Sequence, residues 1–188
     1  MNTRIIKIDE NKIEENLIDQ AANVIKTGGI VAFPTETVYG LGANGLDEDA
    51  VKNIYKAKGR PSDNPLILHI STIEEIAPLV EEIPELAYDC MRRFWPGPLT
   101  IILKKSRIIP NIISAGLDTV AIRMPDHPIA SRLIAKSGVP IAAPSANLSG
   151  RPSPTMASHV VEDMMGKIQM IIDGGDRKST RLNSSHIT

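Results

Sequence analysis

The sequence predicts a single α/β domain whose sheet is covered by helices on both faces, on three observations. Short apolar runs alternate with stretches of helical period along most of the chain. The runs are of the kind buried from two sides rather than the strict alternation of a half-solvated sheet. At 188 residues and 42% hydrophobic content, the chain can build one substantial core, with no internal repeat or low-complexity linker to divide it.

Arg4 to Ile8 reads as a short edge strand. Ile13, Leu17, Ala21, Val24 and Ile25 then fall at helical spacing until Gly28-Gly29 closes the helix. Ile30 to Phe33 is a buried strand, and Phe33-Pro-Thr-Glu-Thr-Val-Tyr-Gly-Leu-Gly42 reads as a polar, glycine-bearing loop at its end. Asp47 caps a second helix with Ala50, Val51, Ile54 and Tyr55 as its inner stripe and Gly59 as its stop. Leu66 to Ile70 is strand-like, and Thr72 with Glu75 has capping-box spacing for the next helix. Pro84 opens a helix through Arg93, which Trp95-Pro-Gly-Pro98 breaks. Leu99 to Leu103, Val120 to Arg123, Val139 to Ala142 and Ile168 to Ile172 are the remaining strands, with helical patterns at His127 to Lys136 and Thr155 to Met165.

Composition narrows the function. A net charge of -1 gives no global attraction to nucleic acid or anionic membrane, so a polyanion site must come from local clustering of the 21 Lys and Arg residues. The single Cys90 has no partner for a disulfide or a thiolate metal site, and no apolar run approaches a membrane span. A reducing, cytoplasmic setting without a membrane fits.

Three loops carry chemical potential. In Lys58-Gly-Arg-Pro-Ser-Asp-Asn-Pro-Leu-Ile-Leu-His69, Lys58 and Arg60 flank a glycine, so both can leave one compact turn toward an oxyanion; a phosphorylated ligand suits a point charge beside a planar fork. The same pair equally suits a solvated helix end, and Asn64 is either a turn cap or an amide reading a base or phosphate. Thr35, Glu36 and Thr37 end a strand, where open α/β sheets form ligand crevices, and Gly40 and Gly42 would let backbone approach a ligand. A tight connection held by hydroxyl-to-backbone bonds explains them as well. Ser145, Asn147, Ser149 and Ser153 offer neutral donors to phosphate oxygens, or are ordinary turn formers. Arg123 ends a strand and must find an anion, either a ligand carboxylate or a structural Asp or Glu. His69 lies in an apolar strand, where a hydrogen-bonded core histidine is common. Glu36 could act as a base, though no paired carboxylate supports it. There is no Walker loop, dinucleotide fingerprint, metal-ligand spacing or nucleophile elbow.

Together, Pro-Thr-Glu-Thr-Val-Tyr-Gly-Leu at 34–41, Lys-x-Arg-Pro-x-x-Asn-Pro-Leu at 58–66 and Pro-Ser-Ala-Asn-x-Ser-Gly at 144–150 resemble the YrdC family of threonylcarbamoyl-adenylate synthases. Trp95-Pro-Gly-Pro-Leu-Thr100 and Val120-Ala-Ile-Arg-Met-Pro125 match as well, so the resemblance spans Gly28 to Gly175. It implies a twisted, open mixed sheet with a positively lined cavity, and a reaction in which ATP, L-threonine and bicarbonate give threonylcarbamoyl-AMP and pyrophosphate for tRNA threonylcarbamoyladenosine modification. By matched position it implies that Lys58, Arg60, Asn64, Thr119, Ser145, Asn147 and Ser153 serve ATP, with Lys58 and Arg60 catalytic. Thr37, His69, Arg123 and the backbone of Ala143 would hold threonine, Arg123 taking its carboxylate. Mg2+ would arrive with ATP, without a metal site in the protein. The expected partners are a downstream tRNA threonylcarbamoyl transferase complex and tRNA or another RNA, with double-stranded RNA binding among the expected properties.

The chain departs from the family after Gly175, where a Glu-Ser-Thr-Val-like strand and an arginine-bearing segment are expected. Asp176 to His186 instead back-translates, codon by codon, to a common sequencing adapter. The expected organisation is a YrdC-like domain over 1–175 that lacks its last family segment, a loss expected to impair activity, and a non-native tail over 176–188. Two other readings stand beside the synthase. One is an RNA-binding module without catalysis, for which 3% aromatic content leaves few stacking platforms. The other is a carbamoyl-transfer domain of hydrogenase-maturation type.

Overall fold

The structure, a computed structural model, describes residues 2–59, 61–62 and 64–176. Eight strands form one mixed sheet: β1 Arg4–Lys7, β2 Val31–Pro34, β3 Tyr39–Asn44, β4 Ile67–His69, β5 Thr100–Lys104, β6 Thr119–Arg123, β7 Ile141–Ala142 and β8 Met170–Asp173. Their order is β1-β8-β2-β3-β7-β4-β6-β5, so the strand expected at an edge, β1, is at one. The helices are α1 Glu15–Lys26, α2 Glu48–Lys58, α3 Glu85–Phe94, α4 Asn111–Ser114, α5 Pro128–Ser137 and α6 Ala157–Met164.

Strand alternation divides the core between the two faces. Val31, Phe33, Met170 and Ile172 pack under α1 and α5, while Ala32, Leu41 and Ile171 turn to the other side, against α2 and α6. Across β4, β6 and β5 the cover is one-sided. Leu68, Val120 and Ile122 are buried in the larger core, whereas Ile67, Ala121 and Ile102 form a cross-strand row on the other face, and Ile102 is 65% exposed. That open face begins where the candidate site lies.

Local chemistry explains most boundaries. The Asp47 carboxylate accepts the backbone N–H of Asp49 and of Ala50, and Gly59 at φ 61° ends α2 in the left-handed region, where the missing Cβ removes the strain. His127 caps α5 through Nδ1, which accepts the Ile129 N–H.

Three expectations need correction. The segment read as a loop through Gly42 is a hairpin: only Thr35 to Val38 turn, and Tyr39 to Asn44 run back antiparallel to β2 as β3. Gly42 makes room for a side chain. A Cβ on Gly42 would lie 2.6 Å from the Phe33 ring and 2.8 Å from Ile141. The capping box at Thr72 does not form, because Glu75 reaches back to Ser71, taking its N–H at 2.9 Å and its hydroxyl at 2.5 Å; a 3-10 helix, Ile73–Leu79, follows with Pro78 inside it. In α1 the buried stripe is Ile18, Ala21, Ala22 and Ile25, and Ile13 lies before the helix.

Candidate active site

The hairpin loop is built by one hydroxyl. Thr35 Oγ1 donates to the Val38 carbonyl at 2.7 Å and accepts the Thr37 and Val38 N–H groups, both at 3.3 Å. Both readings of this loop therefore hold in part: it is a bonded turn, and it presents Glu36 and Thr37 to Arg123. The Arg123 Nη2 donates to Glu36 Oε1 and, at 3.4 Å, to Thr37 Oγ1, while Nε donates to the Gly97 carbonyl at 3.3 Å. Gly97 is brought there by the Trp-Pro-Gly-Pro turn, whose Gly97 N–H bonds the Met124 carbonyl. The two charged side chains are each 12% exposed. Of the partners the sequence left open for Arg123, the structure supplies the glutamate.

His69 stands in register with Arg123, on the neighbouring parallel strand. It is buried, and burial first, then the adjacent guanidinium, lower its pKa from 6.5 to about 4, so the ring is neutral. Its Nδ1 has no hydrogen-bond partner, and neither has Glu36 Oε2. The third loop arrives through β7, which pairs with β3 at Ala43 and Asn44; beyond it the Leu41 N–H bonds the Pro144 carbonyl and the Ala143 N–H the Ile67 carbonyl. Thr37, His69, Arg123, Ala143 and Ser145 thus line one cleft of about 290 Å3, with Pro65 and Ile67 as apolar wall.

The other nominated residues lie around it. Lys58 is buried at the end of α2, its ammonium donating to the Ser145 carbonyl at 2.5 Å and the Asn147 carbonyl at 2.7 Å, so it anchors the loop instead of standing at a solvated helix end. The Asn147 amide nitrogen bonds the Leu148 and Arg151 carbonyls, leaving Oδ1 buried without a partner. Ser153 borders a separate depression of about 480 Å3, beside Arg151 and Asp163. Thr119 begins β6 opposite Lys104, on the same open face as Arg123 but at the far end of the strand. Asn64 is exposed next to the cleft residue Pro65, and its carbonyl accepts the Tyr55 hydroxyl. Arg60 lies outside the described residues.

A family model described as "Telomere recombination", covering the Sua5, YciO and YrdC proteins, matches residues 23–187. The chain belongs to the Sua5/YciO/YrdC family. A threonylcarbamoyl-AMP synthase of Pyrococcus abyssi is 61% identical over 176 residues, 94% of this chain and 52% of that protein. Another, of Pseudomonas putida, is 37% identical over 164 residues, 86% of this chain and 88% of that one. The crystal structure of P. abyssi Sua5 complexed with L-threonine is similar at a TM-score of 0.91 and 61% identity, covering 93% of this chain and 51% of that chain. The chain spans about half the length of these Pyrococcus relatives. The Sua5/YciO/YrdC match also runs into the segment from Asp176 that reads as adapter-like, of which only Asp176 is described.

Within this Sua5/YciO/YrdC fold, two contacts that hold Arg123 escape sequence reasoning: the Gly97 carbonyl, which accepts from its Nε, and Glu36 as its carboxylate partner. No local signal announces Gly97. Glu36 is legible as a carboxylate just past the strand that Pro34 ends, but its pairing with a residue 87 positions away needs the fold.

Proposed function

We propose that the chain carries the catalytic site of an L-threonylcarbamoyladenylate synthase, which converts ATP, L-threonine and bicarbonate to threonylcarbamoyl-AMP and pyrophosphate. The observation that carries the reading is the convergence of Thr37, His69, Arg123 and Ala143, from separate motifs, on one cleft of amino-acid size. The L-threonine complex of the P. abyssi relative supports it.

In this reading Arg123 takes the threonine carboxylate, with Thr37, the neutral His69 and the Ala143 backbone completing the site. Lys58, Arg60, Asn64, Thr119, Ser145, Asn147 and Ser153 serve ATP, and Ser145, which lines the cleft while its carbonyl holds the Lys58 ammonium, joins the two halves. The threonine amine combines with bicarbonate, releasing water, to give a carbamate. A carbamate oxygen then bonds to the α-phosphorus as its bond to pyrophosphate breaks. Positioning and cationic stabilisation of the leaving group suffice, without a covalent nucleophile. Magnesium would accompany the triphosphate as part of that substrate and would neutralise charge on its phosphates.

The product would feed tRNA threonylcarbamoyladenosine formation through a downstream transferase complex, in the cytoplasm. Among the described residues no helix is long and apolar enough to cross a membrane. A pyrophosphate-release assay tests the reading: release is expected with ATP, bicarbonate and threonine and not with threonine omitted. Salt-sensitive RNA binding without any release would favour the RNA-binding module instead.

A further inference from the structure

We propose that Asp163 is a positioning residue for the nucleotide half of the site, holding the loop that carries Asn147 and Ser153 in the form that meets ATP. The inference rests on the reading of those two residues as ATP ligands. The buried residues of α6 are Ala157, Val160, Asp163 and Met164, so a carboxylate stands where the helical stripe calls for an apolar side chain. Asp163 is 5% exposed, and an aspartate that deep is retained only when it is paired. Both partners of its carboxylate lie in one loop: Oδ2 accepts the Leu148 N–H at 2.9 Å, and Oδ1 accepts from Arg151 Nη1.

Those two residues also orient Asn147. Its Nδ2 donates to the Leu148 and Arg151 carbonyls, both at 2.8 Å, and Ser153 follows two positions after Arg151. The start of the loop is held differently. The Ala143 N–H bonds the Ile67 carbonyl, the Leu41 N–H the Pro144 carbonyl and the Ala146 N–H the Tyr39 carbonyl, so the sheet itself fixes the end that faces the threonine pocket. From Leu148 to Arg151, the hydrogen bonds to the rest of the fold among the described residues are the Ser149 N–H to the Lys58 carbonyl and the two to Asp163. Asp163 therefore governs one half of the site and not the other. Without its carboxylate the Leu148 N–H loses its acceptor, and the loop can satisfy it only by shifting the residues that orient Asn147.

The test measures, by calorimetry on the full chain, the dissociation constants for MgATP and for L-threonine. Asp163→Val, which completes the apolar stripe and removes the acceptor, is expected to weaken MgATP binding roughly tenfold or more, the range of a hydrogen bond to a charged group, with threonine affinity unchanged. Asp163→Asn, whose remaining oxygen can still accept the Leu148 N–H, is expected to recover most of the MgATP affinity. Wild-type MgATP affinity in Asp163→Val would overturn the proposal. So would an equal loss for both ligands, which would make the residue a support of the whole fold, and so would an Asp163→Asn variant as weak as Asp163→Val, which would make charge rather than the tether the cause. Should Asp163→Val fail to fold by circular dichroism, Asp163→Glu, which carries the carboxylate one methylene further into the loop, is expected to lose MgATP affinity selectively; wild-type affinity there would overturn the proposal. A wild type that does not bind MgATP would instead remove the nucleotide reading itself.

Discussion

His69 enters the cleft as a neutral ring because burial and the Arg123 charge both oppose its protonation. That has a consequence for stability. The unfolded chain takes up a proton near the ordinary histidine pKa of 6.5, whereas the folded one does so only near about 4. Between those values the unfolded state binds more protons, so stability falls as pH drops through the window and is unaffected by this group above it; the loss across the whole window is on the order of 3 kcal/mol. Urea midpoints at pH 7, 6, 5 and 4 for the wild type and His69→Gln check this. The variant is expected to lose less stability across the window, and equal slopes would refute the assignment. Lys58 illustrates a different solution to burial. The residue is 3% exposed, and its Nζ is met by two carbonyls, which ties α2 to the loop that follows β7.

The hairpin β2–β3 is the element that the sequence concealed. Pro-Thr-Glu-Thr before a Gly-Leu-Gly stretch has turn chemistry over its whole length, and strand glycines depress β propensity. What makes Tyr39 to Asn44 a strand is tertiary: Tyr39, Leu41 and Ala43 are fully buried on one side, and on the other the Phe33 ring occupies the space that a side chain at 42 would take. Gly42→Ala is therefore expected to destabilise the protein by about 1–3 kcal/mol, as overpacking of a closed core does. A denaturant titration that shows no change would mean the ring moves freely. By contrast, α2 is legible to the residue at both ends, since a side-chain cap and a left-handed glycine act within a few positions. The Thr72 box fails because Ser71 competes for the same glutamate, and two adjacent hydroxyl residues cannot be ranked from spacing alone.

At the scale of the molecule, the site exists because the sheet is packed unevenly. β8, β2 and β3 are enclosed by helices from both sides, and the chain's apolar runs announce that much. The face of β4 and β6 that carries His69 and Arg123 is left open, and alternation in Thr119–Arg123 marks it, but which loop leans over it depends on pairings between distant segments. The described fold closes after β8: the Tyr39 hydroxyl accepts the Gly174 N–H at 3.1 Å and donates to the Gly175 carbonyl at 2.7 Å, fastening the end of that strand to the hairpin. If residues beyond that fastening are foreign to the domain, a chain ending at Asp176 should keep its thermal midpoint within about 2 °C of the 188-residue protein, because a change of that size corresponds to no more than about 1 kcal/mol in a domain of this length. Parallel pyrophosphate assays should show turnover no lower in the shortened chain. A fall of midpoint by more than about 5 °C, or loss of turnover, would show that residues 177–188 belong to the folded unit, as the reach of the family match to residue 187 would then require.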